Sequence, residues 1–117
     1  MVVVGIGVDI VSVSRINDVL NRHGERFLTK FFPCEKDYDI SPGRVAGWFA
    51  AKEAFIKAVG KGMATVPMSK ICIGYDSMGK PYIYGDIIPN GVKVHVSISH
   101  EKEMAVAVVI LEGVNMP

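Results

Sequence analysis

Val2-Val3-Val4-Gly5-Ile6-Gly7-Val8-Asp9-Ile10-Val11 is a nearly unbroken β-branched run, punctuated by two glycines and one carboxylate. A run of this kind suits a largely buried strand. Period two sets Asp9 on the face of Val3, Gly5, Gly7 and Val11. Just beyond it, Ser12 or Ser14 is placed to cap a helix whose Ile16, Val19 and Leu20 form an apolar stripe. Gly24 ends or interrupts that helix, and Phe27 to Phe32 continues it until Pro33 breaks it. After Ser41-Pro42-Gly43, the stretch Arg44–Gly60 (RVAGWFAAKEAFIKAVG) is the strongest helix of the chain. It is rich in Ala and Lys, apolar around much of its circumference, and closed by Gly60.

A loop runs from Gly60 to Pro67, and Lys70–Asp76 and Pro81–Tyr84 then flank the hairpin turn Ser77-Met78-Gly79-Lys80. In Val92–His100, Val92, Val94, Val96 and Ile98 alternate with Lys93, His95, Ser97 and Ser99. Met104–Leu111 reads as a buried-type strand and the last six residues as a tail. Strand, helices, then an antiparallel meander predict an α+β fold, with the N-terminal strand and helices packed on an antiparallel β-sheet, in a single domain over residues 1–117.

Composition narrows the function classes. Half of the 117 residues are hydrophobic and 21% charged, which excludes wholesale disorder. With 13 Lys and Arg against 12 Asp and Glu, the net charge of +1 argues against a nucleic-acid binder. The apolar runs are far short of the roughly 18 residues of a membrane span. Met1-Val2-Val3-Val4-Gly5 lacks the positive leader of a signal peptide. Cys34 and Cys72, distant and outside any metal-ligand spacing, read as reduced thiols of a cytoplasmic protein.

Asp9 is the first anomaly, because a carboxylate in a Val, Ile and Gly run needs compensation. It caps the next helix, pairs with a lysine, or faces a ligand in the space two glycines leave. Glu53 is the second, since it shares a stripe with Ala46, Phe49, Ala50 and Lys57. Either it forms an i, i+4 pair with Lys57, or it works with Asp9. Two carboxylates would suit Mg²⁺, which completes its shell with water and substrate phosphates. Lys57 would then meet the phosphates as a point charge. His100, at a strand end, is either a turn residue or a ligand contact. Arg15 and Arg22 share a helical face that Arg26 extends, either as a solvated stripe or as a dock for an acidic partner.

Gly5-Ile6-Gly7-Val8-Asp9-Ile10-Val11, Phe49-Ala50-Ala51-Lys52-Glu53-Ala54 with Lys57-Ala58, Gly79-Lys80-Pro81-Tyr82 and Val96-Ser97-Ile98-Ser99-His100 occur in that order. Together they resemble the holo-acyl-carrier-protein synthase family, the small 4′-phosphopantetheinyl transferases, over essentially the whole chain. The resemblance implies the 4′-phosphopantetheinyl transferase fold. It implies transfer of the phosphopantetheine arm of coenzyme A to a serine of apo-acyl carrier protein in fatty acid biosynthesis, with release of adenosine 3′,5′-bisphosphate. It also implies that Asp9 and Glu53 hold Mg²⁺, that Lys57 contacts phosphate, and that the proton acceptor is a metal-bound water or Glu53. The nucleotide part of the site is carried over to Ser99, His100, Lys80, Pro81 and Arg44. Arg15 would touch the acidic carrier protein, with Arg22 and Arg26 beside it. A homotrimer with sites between subunits is implied as well. Where many members have arginine this chain has Trp48, which would stack on adenine or pack at a subunit interface while Arg44 stands in. The segment Pro33-Cys34-Glu35-Lys36-Asp37-Tyr38 departs from the family pattern, and no role is carried over to it.

Overall fold

The computed structural model describes residues 2–60 and 66–114. It runs β1 (Val2–Ser12), α1 (Val13–Phe31), α2 (Pro42–Val59), a short 3₁₀ turn (Met68–Lys70), β2 (Cys72–Tyr75), β3 (Pro81–Tyr84), β4 (Val92–His100) and β5 (Met104–Gly113). This is the α+β layout expected from the pattern of the chain. The meander, however, is split. A three-stranded antiparallel sheet has the order β1-β5-β4, and β2-β3 form a separate hairpin. Gly85 (φ 131°) and Gly91 (φ 75°) bracket the β3–β4 connection in conformations that favour glycine, and they turn the chain out of one continuous ladder. The C-terminal strand continues through Glu112 and Gly113, two residues expected in a tail, because Gly113 pairs with both Val2 and Val92. Most of the loop expected from Gly60 to Pro67, and the end of the tail, lie outside the described residues.

Both helices start on serine. Ser12 Oγ accepts from the Arg15 N–H at 3.4 Å and Ser41 Oγ from the Arg44 N–H at 3.3 Å, each satisfying a first-turn donor. Gly24 (φ 8°, ψ −93°) kinks α1 without ending it. Gly60, at φ 82°, closes α2 with its N–H on the Ile56 carbonyl.

The core lies between α2 and the inner face of the sheet, where Ala46, Ala50, Ala54, Phe55, Ala105, Ala107, Val109 and Leu111 are buried. The small residues are functional in a geometric sense. A Cβ on Gly7 would overlap the Ala54 carbonyl oxygen, and one on Gly5 would overlap that of Ala58. Glycine therefore lets the helix backbone rest directly on β1, and this close seat sets where the side chains of β1 and α2 meet. The outer face of the sheet is apolar and bare: Ile6, Val8 and Ile10 are 65, 57 and 63% exposed, opposite Ile110, Val108 and Val106 on β5.

Two expectations change here. Cys34 and Cys72, expected as free thiols, are joined, with Cα atoms 5.5 Å apart. The neighbouring residues explain the approach, because the Glu35 carboxylate accepts from the Ile73 N–H at 2.9 Å and draws the turn after α1 onto β2. Trp48 neither stacks outward nor waits at an interface. It is fully buried in its own subunit, against Phe32 and Tyr38.

Candidate functional site

The seat of α2 on β1 brings Asp9 to Lys57. Lys57 Nζ donates to Asp9 Oδ1 at 2.9 Å and to the Val8 carbonyl at 3.1 Å. Of the readings open for Asp9, pairing with a lysine is realised, and the helix cap falls to Ser12 instead. Among the described residues, the ion pair of Lys57 is with Asp9 and not with Glu53 one turn earlier. Glu53 and Asp9 line one cavity of about 430 Å³, walled by Arg15 and Ile16 of α1 and by Phe27, Phe31 and Phe49. Burial holds the Glu53 carboxyl above the ordinary carboxylate range; the charge of Asp9 adds to this and Lys57 partly offsets it.

The electrostatics of this cavity suit a cation. Two carboxylates face one ammonium, and Glu53 is penalised for being ionised beside Asp9. Hard oxygen donors, an open cavity and room for water and phosphate fit Mg²⁺ better than a soft metal. Asp9 and Glu53 are the residues able to hold it.

The other expected residues divide between two places. Arg44, Pro81 and His100 line a recess of about 200 Å³ with Gly47, Trp48, Tyr75, Gly79 and Ile98. Small residues on the first turns of α2 admit the end of β4. A Cβ on Gly43 would lie 2.9 Å from His100 Nδ1, and one on Gly47 would lie 2.9 Å from Ile98 Cγ2. Period two puts His100 on the helix-facing side with Ile98 and sends Ser99 to the other side. There Ser99 borders a separate opening with Ile10 and Val106 that His100 also reaches. Lys80 is exposed in the β2–β3 turn, which Asp76 Oδ1 holds by accepting from the Met78 and Lys80 N–H groups. Arg15, Arg22 and Arg26 are exposed on α1 and make no ion pair among the described residues.

Sequence reasoning missed Glu35 and Lys52. Both are fully buried and paired. Lys52 Nζ also donates to the Phe31 carbonyl at 2.9 Å and sits 4.7 Å from the Phe32 ring centroid. Burial pushes its ammonium below the usual lysine range, against the opposing pull of Glu35. A faint signal existed. Trp48, Lys52 and Ile56 share one stripe of α2, so Lys52 was a charge on an apolar face.

With this geometry in view, the relationship to known proteins is direct. A family model described as the 4′-phosphopantetheinyl transferase superfamily matches residues 5–109. The chain belongs to that superfamily. It is 42% identical over 120 residues to the holo-[acyl-carrier-protein] synthase of Halothermothrix orenii, covering 92% of this chain and 96% of that one. It is 44% identical over 122 residues to that of Dechloromonas aromatica, covering 92% and 96%. A crystal structure of the Bacillus anthracis holo-(acyl-carrier-protein) synthase in complex with CoA (3′,5′-ADP) superposes with a TM-score of 0.81 at 39% identity, covering 95% of this chain and 97% of that one. The resemblance stated from the motifs thus holds over nearly the whole chain, and with it the enzyme class: a phosphopantetheinyl transferase of the holo-[acyl-carrier-protein] synthase kind.

Proposed function

We propose that this chain moves the 4′-phosphopantetheine arm of coenzyme A onto a serine hydroxyl of apo-acyl carrier protein, with Mg²⁺, in support of fatty acid biosynthesis. The observation that carries the reading is the convergence of Asp9 and Glu53 on one cavity beside Lys57, in a chain so similar to holo-[acyl-carrier-protein] synthases. The serine oxygen forms a bond to the phosphorus that bears the pantetheine arm. The bridging P–O bond of the diphosphate breaks, and adenosine 3′,5′-bisphosphate leaves with the electron pair. Bound Mg²⁺ supplies charge neutralisation on the diphosphate.

The chain's own residues do the rest. Asp9 and Glu53 hold the ion, and Lys57, steadied by Asp9 and the Val8 carbonyl, offers its ammonium to the diphosphate. Glu53 has a secondary role as acceptor of the serine proton. Arg15, at the mouth of the cavity, guides the acidic carrier, with Arg22 and Arg26 along α1.

Arg44, His100 and Pro81, with Ser99 and Lys80 nearby, receive the nucleotide end. Glu53 lies nine positions after Arg44 on α2, about 13 Å along the axis. The carboxylate cavity and the Arg44 recess are therefore separate openings of one subunit. A composite site joins the carboxylates of one subunit to the recess of the next. The bare Ile6, Val8 and Ile10 face supplies the surface for a homotrimer. Among the described residues no helix is long and apolar enough to cross a membrane; the setting proposed with this function is cytoplasmic.

The test is direct. Purified protein is incubated with coenzyme A, Mg²⁺ and apo-acyl carrier protein, and the carrier is weighed. It gains one phosphopantetheine arm, and the gain is lost without Mg²⁺ or in Asp9→Ala. An unmodified carrier in the presence of folded protein that binds coenzyme A would overturn the proposal.

A further inference from the structure

We propose that Trp48 and Tyr75 are positioning residues that hold Arg44 ready for a phosphomonoester, the 3′-phosphate at the nucleotide end of coenzyme A. The proposal rests on the transferase reading above for the identity of the ligand. Trp48 Nε1 donates to the Tyr75 hydroxyl at 2.7 Å. The Arg44 guanidinium lies over the Tyr75 ring, 5.5 Å from its centroid. Tyr38 closes on Tyr75 edge-on, with centroids 5.2 Å apart and planes at 82°.

The Tyr75 ring is thereby fixed from three directions. Its hydroxyl is tied to an indole that cannot move, because Trp48 is fully buried. The ring packs nearly perpendicular to that of Tyr38. Its backbone ends β2 just before the turn that Asp76 locks. An indole N–H only donates, so the Tyr75 oxygen is the acceptor and the ring's rotation about its own axis does not disturb the bond.

Arg44 needs such a platform. It makes no ion pair among the described residues, so its fork is left for a ligand anion. Stacked on an aromatic face it keeps its charge and loses its freedom. His100 borders the same recess. A long side chain ordered before binding spares the ligand that entropy cost, which corresponds to about a 3–10-fold gain in affinity. Trp48 thus serves phosphate recognition through Tyr75 and Arg44, without touching the ligand.

Calorimetry separates this from a general packing role. Coenzyme A and dephospho-coenzyme A, which lacks the 3′-phosphate, are titrated into the parent, Arg44→Ala, Trp48→Phe and Tyr75→Leu. The parent prefers coenzyme A, and Arg44→Ala abolishes the preference. Trp48→Phe and Tyr75→Leu reduce it about 3–10-fold, because coenzyme A loses more affinity than dephospho-coenzyme A. Should Trp48→Phe fold poorly, Tyr75→Phe, which keeps the ring and loses only the anchoring hydroxyl, carries the same expectation in smaller degree. Equal weakening of both ligands, or an unaltered preference in the Trp48 and Tyr75 variants, overturns the inference. So does a parent without preference. A parent that shows the preference and never modifies apo-carrier would instead refute the transferase reading and leave the positioning claim standing.

Discussion

Gly7→Ala is the sharpest probe of how β1 and α2 build the cavity. A Cβ at this position would lie 2.9 Å from both the Ala54 carbonyl carbon and the Ala58 nitrogen, and it would overlap the Ala54 oxygen. Ordinary contact between such atoms is about 3.5–4.0 Å, so helix and strand must part by on the order of 1 Å. The obstacle is helix backbone, which has no rotamer to change, and overpacking of this sort costs about 1–3 kcal/mol. The upper half of that range applies here, and for a chain of this size it lowers Tm by about 8–12 °C. The chemical effect is larger. Lys57 reaches Asp9 and Val8 across this seam, and Glu53 is one turn away on the same helix. A displacement near 1 Å costs on the order of 100-fold in rate. Urea unfolding gives the stability change. Mass-spectrometric transfer assays below the unfolding transition, scaled to folded protein, give the rate change. If Gly7→Ala matched the parent in both, the close seat of α2 on β1 would not be what sets the site.

Three further expectations are independent of that seam. Lys52→Met strands the buried Glu35 charge and should cost about 3–5 kcal/mol, read as a lower urea midpoint at constant m; a loss below about 1 kcal/mol would show that Glu35 is compensated elsewhere. Val8→Glu puts a charge at the centre of the bare outer face and should convert the assembly to monomers in sedimentation velocity with its helical circular dichroism retained; an unaltered trimer, or a monomeric parent, would remove that face from the interface. Arg15→Glu should raise KM for the acidic carrier while leaving KM for coenzyme A nearly unchanged, and equal effects on both would argue against docking.

Much of this was legible in the chain because the governing rules are local. Caps act within three residues, so Ser12 or Ser14 could be read as a start and Gly60 as a stop, while Ser41 read only as part of the break before the second helix. Period two and the helical spacing placed Asp9 and Glu53 on faces where charges do not belong. Those misplaced carboxylates, with the motifs around them, carried the family resemblance.

What stayed hidden depends on residues far apart meeting. No spacing rule says that Lys57 pairs with Asp9 and not with Glu53 four positions away. That choice follows from two glycines letting a helix backbone rest on a strand. Glu35 looks like an ordinary surface residue, and Lys52 shows only as a charge on an apolar stripe, until the turn after α1 folds onto β2 and takes both out of water. The same closure joins Cys34 to Cys72 and buries Trp48 against Tyr75. Local sequence determines which segments become strands and helices and which of their faces are apolar, since those preferences act over a few bonds. Only the packed chain decides which faces meet, because burial and pairing are settled by backbone approach between segments that the linear order keeps apart.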